Sequence, residues 1–151
     1  WTSTGRTTWT WTAPCTARHL NHVCIAVRDI DASLRFYAQV FGTRVGEVVD
    51  IADQGVRAAL VRVGGSQLEL IQPTDTDGGV ARFLDRRGEG VHHICFEVEG
   101  LQDTLDRLQE SGVQLIDTAP REGLSGSIAF IHPGSTNGVL VELVDQDTAR
   151  R

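Results

Sequence analysis

The chain has 151 residues, a net charge of −6 and a pI of about 5.3, and 40% of its residues are hydrophobic. A chain of this length buries one core, so we expect a single domain. The acidic balance argues against binding to nucleic acid, and no apolar run approaches the roughly 20 residues that cross a bilayer. With no lysine in the sequence, Schiff-base and P-loop lysine chemistry is excluded. Three cysteines, Cys15, Cys24 and Cys95, do not form a disulfide framework, which predicts a cytoplasmic protein.

The two ends of the chain differ from its middle in composition. Residues 1–18 hold all three tryptophans, no acidic residue and no apolar periodicity, so we interpret them as a leader or disordered extension. A start that contains Arg and Thr but no acidic residue also allows a transit peptide, in which case the mitochondrial matrix is the expected location. The predicted domain covers residues 19–146, and 147–151 form a C-terminal tail.

The domain contains an internal repeat with a shift of about 70 residues. The segment LNHVCIAV matches VHHICFEV, so that His22 corresponds to His93. The two predicted modules cover about residues 19–73 and 90–146.

In the first module a strand is followed by an amphipathic helix, since apolar residues recur three or four positions apart, at Ile30, Leu34, Tyr37 and Phe41. Asp29 or Asp31 suits the N-cap of this helix, and Gly42 suits its C-terminal end. Three β-type runs come next: TRVGEVVD, VRAALVRV and SQLELIQ.

The second module repeats this order. It follows a predicted loop, PTDTDGG, and a short helix, VARFLDRR. Its helix carries Leu101, Leu105 and Leu108 and ends near Gly112; its later β-type runs are VQLI, SIAFIH and VLVELVD. The sequence therefore predicts an α+β fold of two tandem β-α-β-β-β modules, with their concave faces placed together around one cleft.

Four polar side chains occupy matching places in the two modules, and alternation along the strands points them into the cleft. They are His22, Glu69, His93 and Glu142. Two imidazoles and two carboxylates suit a divalent Zn, Co, Ni, Mn or Fe ion with open positions for substrate. Core histidines and solvated glutamates would be the plainer interpretation, but the duplication of all four favours a metal site.

The other histidines and the cysteines have no place in this set. His19, His92 and His132 are interpreted as structural, and His92 should face away from His93. Cys24 and Cys95 share the histidine faces, but two residues along a strand span about 6.5 Å, too far for both side chains to reach one ion. We therefore expect the cysteines to be small packing residues.

Glu47 is a further carboxylate in an apolar segment, at alternate spacing from Val45 and Val49. It would be a plain edge residue in the absence of a metal site. Beside one, it is a candidate general base, because an apolar cleft raises the pKa of a carboxyl group.

The segments LNHVCIAVRDIDASLRFY, GVHHICFEV and HPGSTNGVLVELVD, in this order, resemble the methylmalonyl-CoA epimerases of the vicinal-oxygen-chelate superfamily. The resemblance covers about His19 to Gln146. It implies a glyoxalase-like fold, an acyl-CoA substrate and one divalent metal ion (Co, Zn, Ni or Mn) held by His22, Glu69, His93 and Glu142.

The activity implied by this resemblance is the interconversion of (R)- and (S)-methylmalonyl-CoA by abstraction of the α-proton, through an enolate that the metal ion stabilises. The family's proposed base falls on Glu47, with Glu142 a possible partner. A lid-like loop near the substrate falls on Gly123, Ser125, Gly126 and Ser127. Many family members have a lysine where this chain has Gly134, so arginines or backbone amides must contact the CoA phosphates. A homodimer is expected by analogy with the fold.

Other activities on the same fold remain open. A glyoxalase I-type lactoylglutathione lyase needs the same metal, ring-cleaving dioxygenases use two histidines and one carboxylate, and ligand-sequestering resistance proteins bind a drug without catalysis. The second carboxylate argues against the dioxygenases, and the complete ligand set argues against the sequestering proteins.

Overall fold

The computed structural model describes residues 15–146, which form one mixed nine-stranded sheet with three α-helices. Most of the predicted leader and the predicted tail, residues 1–14 and 147–151, lie outside the described residues. No helix in the described part of the chain is long and apolar enough to span a membrane. The α+β class predicted from the sequence is confirmed.

The strands and helices follow the predicted order closely. The first module contains β1 (His19–Ala26), α1 (Ile30–Phe41), β2 (Arg44–Val45), β3 (Val49–Ile51), β4 (Val56–Val63) and β5 (Ser66–Pro73). The connection contains α2 (Gly79–Arg87), and the second module contains β6 (Gly90–Glu97), α3 (Leu101–Glu110), β7 (Arg121–Gly123), β8 (Gly126–Ile131) and β9 (Val141–Asp145).

The two modules join edge to edge within a single sheet. The strand order is β2-β4-β5-β1-β6-β9-β8-β7, with β3 also paired to β4. The central pair, β1 and β6, is antiparallel, and each of these strands runs parallel to the last strand of its own module, β5 or β9. The expected face-to-face placement of separate modules is therefore wrong. The open edges of β1 and β6 carry unpaired N–H and C=O groups, and pairing with each other satisfies both.

Helices α1 and α3 cover what we call the outer face of the sheet. Ile30 and Leu34 of α1 pack against Val27, Ala59, Val61 and Leu70. Leu101, Leu105 and Leu108 of α3 pack against Val98, Ala129, Ile131, Val141 and Leu143. Because side chains alternate along a strand, the residues between these apolar positions point to the opposite, inner face. The polar residues predicted for the cleft are among them.

The edge of each module differs from the prediction. TRVGEVVD is divided into β2 and β3, with Gly46, Glu47 and Val48 between them. The segment VQLI is not a strand: it makes one isolated bridge, Leu115 to Ile131, and the rest of that edge is taken by β7. Both modules therefore have a split edge strand, an interruption common at sheet edges.

The ends of α1 match the sequence signals. Asp29 is the N-cap, and its Oδ1 accepts a hydrogen bond from the Ala32 N–H at 2.9 Å. Asp31, the alternative, lies in the first turn and forms an ion pair with Arg57 at 3.5 Å. Gly42 ends the helix at φ 62°, a conformation that suits glycine.

We predict that Asp29→Ala lowers the free energy of unfolding by about 1 kcal/mol, because the Ala32 N–H loses its only side-chain acceptor at the helix start. Asp31→Ala is the matched control and should cost less, about 0.5 kcal/mol, since an exposed ion pair contributes little. Urea unfolding of both variants measures the difference. Equal losses would show that charge near the helix end, rather than the cap, is what stabilises α1.

Candidate metal centre

The four polar residues singled out from the sequence lie on the inner face of the four central strands. Glu69 is on β5, His22 on β1, His93 on β6 and Glu142 on β9. All four are buried, with 3 to 7% of their surface exposed. The structure thus brings together every side chain of the predicted ligand set.

Their positions follow from strand register. Two rows cross the inner face: Glu69–Cys24–His93, and His22–Cys95–Glu142. Each row has a cysteine at its centre, flanked by a carboxylate on one side and an imidazole on the other. Because the module repeats, one row is the pseudo-twofold copy of the other.

The donor atoms are spaced as a single ion requires. His22 Nε2 lies 3.1 Å from Glu69 Oε2 and 3.3 Å from His93 Nε2. His93 Nε2 lies 3.2 Å from Glu142 Oε2, and His22 Nε2 lies 3.9 Å from Glu142 Oε1. Two donors that are each about 2.1 Å from one ion stand roughly 3.0 to 3.4 Å apart in octahedral or tetrahedral geometry. These side chains therefore fit a divalent cation.

Burial controls the protonation of the set. Burial, with the nearby charge of Glu142, raises the pKa of Glu69 to about 8. Burial alone would also raise the pKa of Glu142, but the hydrogen bond from His93 and the charges of His93 and His22 bring it below its ordinary value. Burial lowers the pKa of His22 to about 4. The metal-free centre at neutral pH thus holds one carboxylate, one carboxylic acid and a neutral imidazole at His22.

His92 does not face away from His93, contrary to the prediction. The register between β1 and β6 shifts between Cys24 and Ile25, so that β6 carries one extra residue at this point. A bulge of this kind redirects a side chain, and His92 Nδ1 lies 2.9 Å from His93 Nδ1. The sequence could not reveal the shift, because strand alternation assumes regular pairing.

The two cysteines lie closer to the histidines than the spacing along one strand predicts. Distance along one strand separates each cysteine from the histidine of its own module, but across the β1–β6 pair Cys95 lies opposite His22, and Cys24 lies opposite His93. The Cys95 thiol donates to Glu142 Oε1 at 3.3 Å, and burial raises the pKa of both thiols. Both cysteines are fully buried and pack against apolar neighbours, as expected of small packing residues.

A cavity of about 930 Å³ opens above the centre. Glu69, His93 and Glu142 lie at its polar end, and Phe83 and Phe130 contribute aromatic walls. Four arginines also line it: Arg82, Arg86, Arg87 and Arg121. Sequence reasoning gave these arginines no individual role. His132, predicted to be structural, lines the cavity as well and accepts a hydrogen bond from the Gly134 N–H.

The segment predicted as a lid-like loop is the tight turn of the β7–β8 hairpin. Gly123 pairs with Gly126, leaving Leu124 and Ser125 at the tip, and Ser127 follows on β8. The Leu124 side chain packs against an inner-face cluster formed by Cys24, Ala26, Ala58 and Ile71 of the first module and Leu84 of α2. Gln54 Nε2 also donates to the Glu122 carbonyl at 3.0 Å. The hairpin therefore reaches across the inner face to the other module.

Glu47 lies between β2 and β3 and is exposed. It is not among the residues that line the cavity. Its neighbour Val48 packs against the cluster beside α1 on the outer face. The Gly46 N–H donates to the Leu60 carbonyl at 2.7 Å, which keeps this segment against β4.

Comparisons with known proteins agree on one family. The family model for the glyoxalase/bleomycin resistance protein/dioxygenase superfamily matches residues 21–131. The ethylmalonyl-CoA/methylmalonyl-CoA epimerase of Cereibacter sphaeroides is 38% identical over 82% of this chain and 95% of its own length. Lactoylglutathione lyase of Salmonella typhimurium is 24% identical over 87% of this chain and 96% of its own length.

Solved structures give the same result. The methylmalonyl-CoA epimerase of Mycobacterium tuberculosis is similar with a TM-score of 0.81 and 37% identity, covering 89% of this chain and 91% of the other. A methylmalonyl-CoA epimerase in complex with methylmalonyl-CoA and NH4+ also has a TM-score of 0.81, with 34% identity, covering 86% of this chain and 95% of the other.

We predict that the metal-free protein loses stability as the pH rises from about 6.5 to about 8, by about 1.4 kcal/mol per pH unit at most. The sign follows from the raised pKa of Glu69: in this window the folded state keeps a proton on Glu69 that the unfolded state has lost, so raising the pH favours unfolding. Below about 6.5 the lowered pKa values of His22 and His92 act in the opposite direction, because the unfolded imidazoles take up protons that the folded ones do not. Glu69→Gln should flatten the dependence above about 6.5, and the exposed carboxyl variant Glu110→Gln should not. Urea unfolding with chelator at pH 6.5, 7, 7.5 and 8 measures it. Parallel profiles for all three proteins would contradict the assignment.

Proposed function

The chain belongs to the glyoxalase/bleomycin resistance protein/dioxygenase superfamily and, within it, to the methylmalonyl-CoA epimerases. We therefore propose that it interconverts (R)- and (S)-methylmalonyl-CoA. The observation that carries the proposal is the series of close contacts from Glu69 to His22, His93 and Glu142, at 3.1 to 3.3 Å between donor atoms, beside a large cavity. The type of reaction is inferred from the similarity to epimerases over most of the chain.

The four converging side chains are proposed to hold one divalent ion, with Co, Zn, Ni or Mn as the candidates that suit a mixed nitrogen and oxygen set. When bound, such an ion stabilises negative charge on the thioester oxygen as the α-proton leaves. The protein's own part is to supply the four donor groups. The lowered pKa of His22 favours its neutral, metal-binding form, and binding would release the proton that Glu69 carries at neutral pH.

Epimerisation removes a proton from one face of the α-carbon and returns one to the other, so two acid-base groups are needed. We assign Glu47 to one face, because the proposed base of the epimerases falls on this residue, at the edge of the first module. Glu142 is assigned to the other face, because it lines the cavity from the second module. Closure of the segment around Glu47 onto the substrate would bring it within reach of the α-proton.

The arginines favour an acyl-CoA as substrate. Arg82, Arg86 and Arg87 belong to α2, and Arg121 enters the cavity from β7. Guanidinium groups form paired hydrogen bonds with phosphate oxygens, and no lysine is present to take this role. We propose that the α2 arginines contact the CoA phosphates, and that Gly123, Ser125, Gly126 and Ser127 of the hairpin contact the acyl end.

A lactoylglutathione lyase or a ligand-sequestering protein is less well supported. The lyases are related at 24% identity, against 38% for the epimerase of Cereibacter sphaeroides. A sequestering protein has no need of four buried ligating groups, each of which costs free energy to desolvate. The epimerase assignment accounts for both the ligand set and the arginines.

Assembly and location complete the proposal. We propose a homodimer, since the exposed side of α1 presents the large apolar side chains of Phe36, Val40 and Phe41. A group of exposed apolar side chains of this kind is typical of a protein interface. The cytoplasmic location expected from the composition, or the mitochondrial matrix in the case of a transit peptide, stays a prediction.

We predict that the protein exchanges the α-proton of methylmalonyl-CoA with deuterium from the solvent, and that Glu47→Gln slows this exchange by at least about 100-fold because it removes the base. Bound metal should stay at one ion per chain. Asp50→Asn, at an exposed carboxylate on β3, is the matched control and should exchange at the normal rate. Proton NMR in deuterated buffer follows the reaction. Normal exchange by Glu47→Gln would exclude Glu47 as the base, and full activity after removal of metal by a chelator would exclude the metal mechanism.

A second prediction concerns the CoA end of the substrate. Arg86→Gln should raise KM for methylmalonyl-CoA by roughly 10-fold with kcat little changed, because a charged hydrogen bond to phosphate contributes about 1.5 kcal/mol or more to binding. Arg62→Gln, at an exposed arginine of β4 outside the cavity, is the control. Steady-state kinetics at two salt concentrations separates the two variants. An unchanged KM for Arg86→Gln would place the phosphates elsewhere.

A further inference from the structure

The repeat has produced two equivalent bulges, one beside each metal-binding histidine. In β1 the register shifts between Leu20 and His22, which makes Asn21 the extra residue. In β6 the extra residue is His92, which precedes His93. Asn21 and His92 therefore hold matching positions in the two modules, and the side chain of each lies beside the ring of the histidine that follows it.

The role of Asn21 can be read from its hydrogen bonds. Its Nδ2 donates to Glu97 Oε2 at 3.2 Å, which fixes the orientation of the amide. Its Oδ1 therefore faces His22 Nδ1, at 2.9 Å, and also accepts from Gln67 Nε2 at 3.3 Å. An amide oxygen only accepts, so His22 must carry its proton on Nδ1. This leaves the lone pair of Nε2 directed at the ligand set.

His92 stands beside His93 as Asn21 stands beside His22. Its Nδ1 and that of His93 are 2.9 Å apart, so one donates and the other accepts. His93 Nε2 is the atom that lies among the donors, 3.2 Å from Glu142 Oε2 and 3.3 Å from His22 Nε2. In the metal-free centre His93 Nε2 donates its proton to Glu142; for Nε2 to bind a cation it must lose that proton, and the proton of the neutral ring must then be on Nδ1, which makes His92 Nδ1 the acceptor.

We propose that His92 is a positioning residue that fixes the tautomer and ring orientation of His93, as Asn21 does for His22. The inference rests on the proposed metal site. Metal-binding histidines commonly donate their second ring N–H to a fixed acceptor, and loss of that acceptor typically weakens metal binding by about 10- to 100-fold. The Phe83 ring, with its centroid 4.9 Å from that of His92, holds the His92 ring edge-on in place.

The experiment compares His92→Leu with His92→Asn. Leucine fills a similar volume but has no acceptor, whereas asparagine supplies the amide oxygen that the first module uses at this position. Affinity for Co²⁺ is measured by competition with a chromophoric chelator, and circular dichroism checks the fold. We expect His92→Leu to bind Co²⁺ about 10- to 100-fold more weakly than the unsubstituted protein, and His92→Asn to stay within about threefold of it.

A spectroscopic measurement reads the hydrogen bond itself. In ¹⁵N-labelled, Zn²⁺-loaded protein, the Nδ1–H proton of His93 should resonate downfield and exchange slowly with water in the unsubstituted chain and in His92→Asn, and should move upfield and exchange faster in His92→Leu. Equal Co²⁺ affinity for all three proteins would overturn the inference alone. Equally weak binding by both variants would also overturn it, since packing of the imidazole against Phe83 would then be the important contact. Failure of the unsubstituted protein to bind any divalent ion would overturn the proposed metal site together with this inference.

Discussion

The structure depends on four ionisable side chains being removed from water, each with a donor atom 3.1 to 3.3 Å from a donor atom of another. Two carboxyls and two imidazoles on one buried face are costly to desolvate unless each finds a partner. In the metal-free protein that need is met by a proton on Glu69, a neutral His22 and the hydrogen bond between His93 and Glu142. A divalent ion would satisfy all four groups at once. The four buried groups are costly to desolvate in the absence of metal, and the same arrangement is therefore well suited to binding a metal ion.

Edge-to-edge pairing of the two modules brings the four groups together. Each module alone carries one histidine and one glutamate on its inner face, too few for a closed metal site. Pairing β1 with β6 places His22 beside Cys95 and Glu142, and His93 beside Cys24 and Glu69. A slip of one residue in this pairing would turn the histidines to the outer face. The cysteines, small and fully buried, leave room above each row for the larger ligands.

The sequence was sufficient for features set by periodicity and duplication. Helix α1, strand β4 and the clustering of His22, Glu69, His93 and Glu142 were all predicted, because apolar spacing and the match between the modules locate them. The binding of a metal by these four residues stays a prediction. Features set by pairing were missed: the bulge at His92, the split edge at Glu47 and the cross-strand contact between Cys95 and Glu142. Register between distant strands is a tertiary property, and a single chain carries no local signal of it. The one clue in the sequence to the two bulges is that Asn21 and His22 correspond to His92 and His93 in the internal repeat.

The duplicated sheet is nearly symmetric, so the preference for one substrate orientation has to come from elements without a counterpart in the other module. Helix α2 is such an element, and it supplies Arg82, Arg86 and Arg87 to one side of the cavity. The residues that contact the second ring nitrogen of His22 and His93 also differ between the modules. Asn21, beside His22, is buried in a hydrogen-bonded network, whereas His92, beside His93, borders the cavity next to Phe83. A substrate that fills the cavity would thus contact the support of His93 and not that of His22. Symmetry builds the centre, and the asymmetric additions decide how a ligand lies across it.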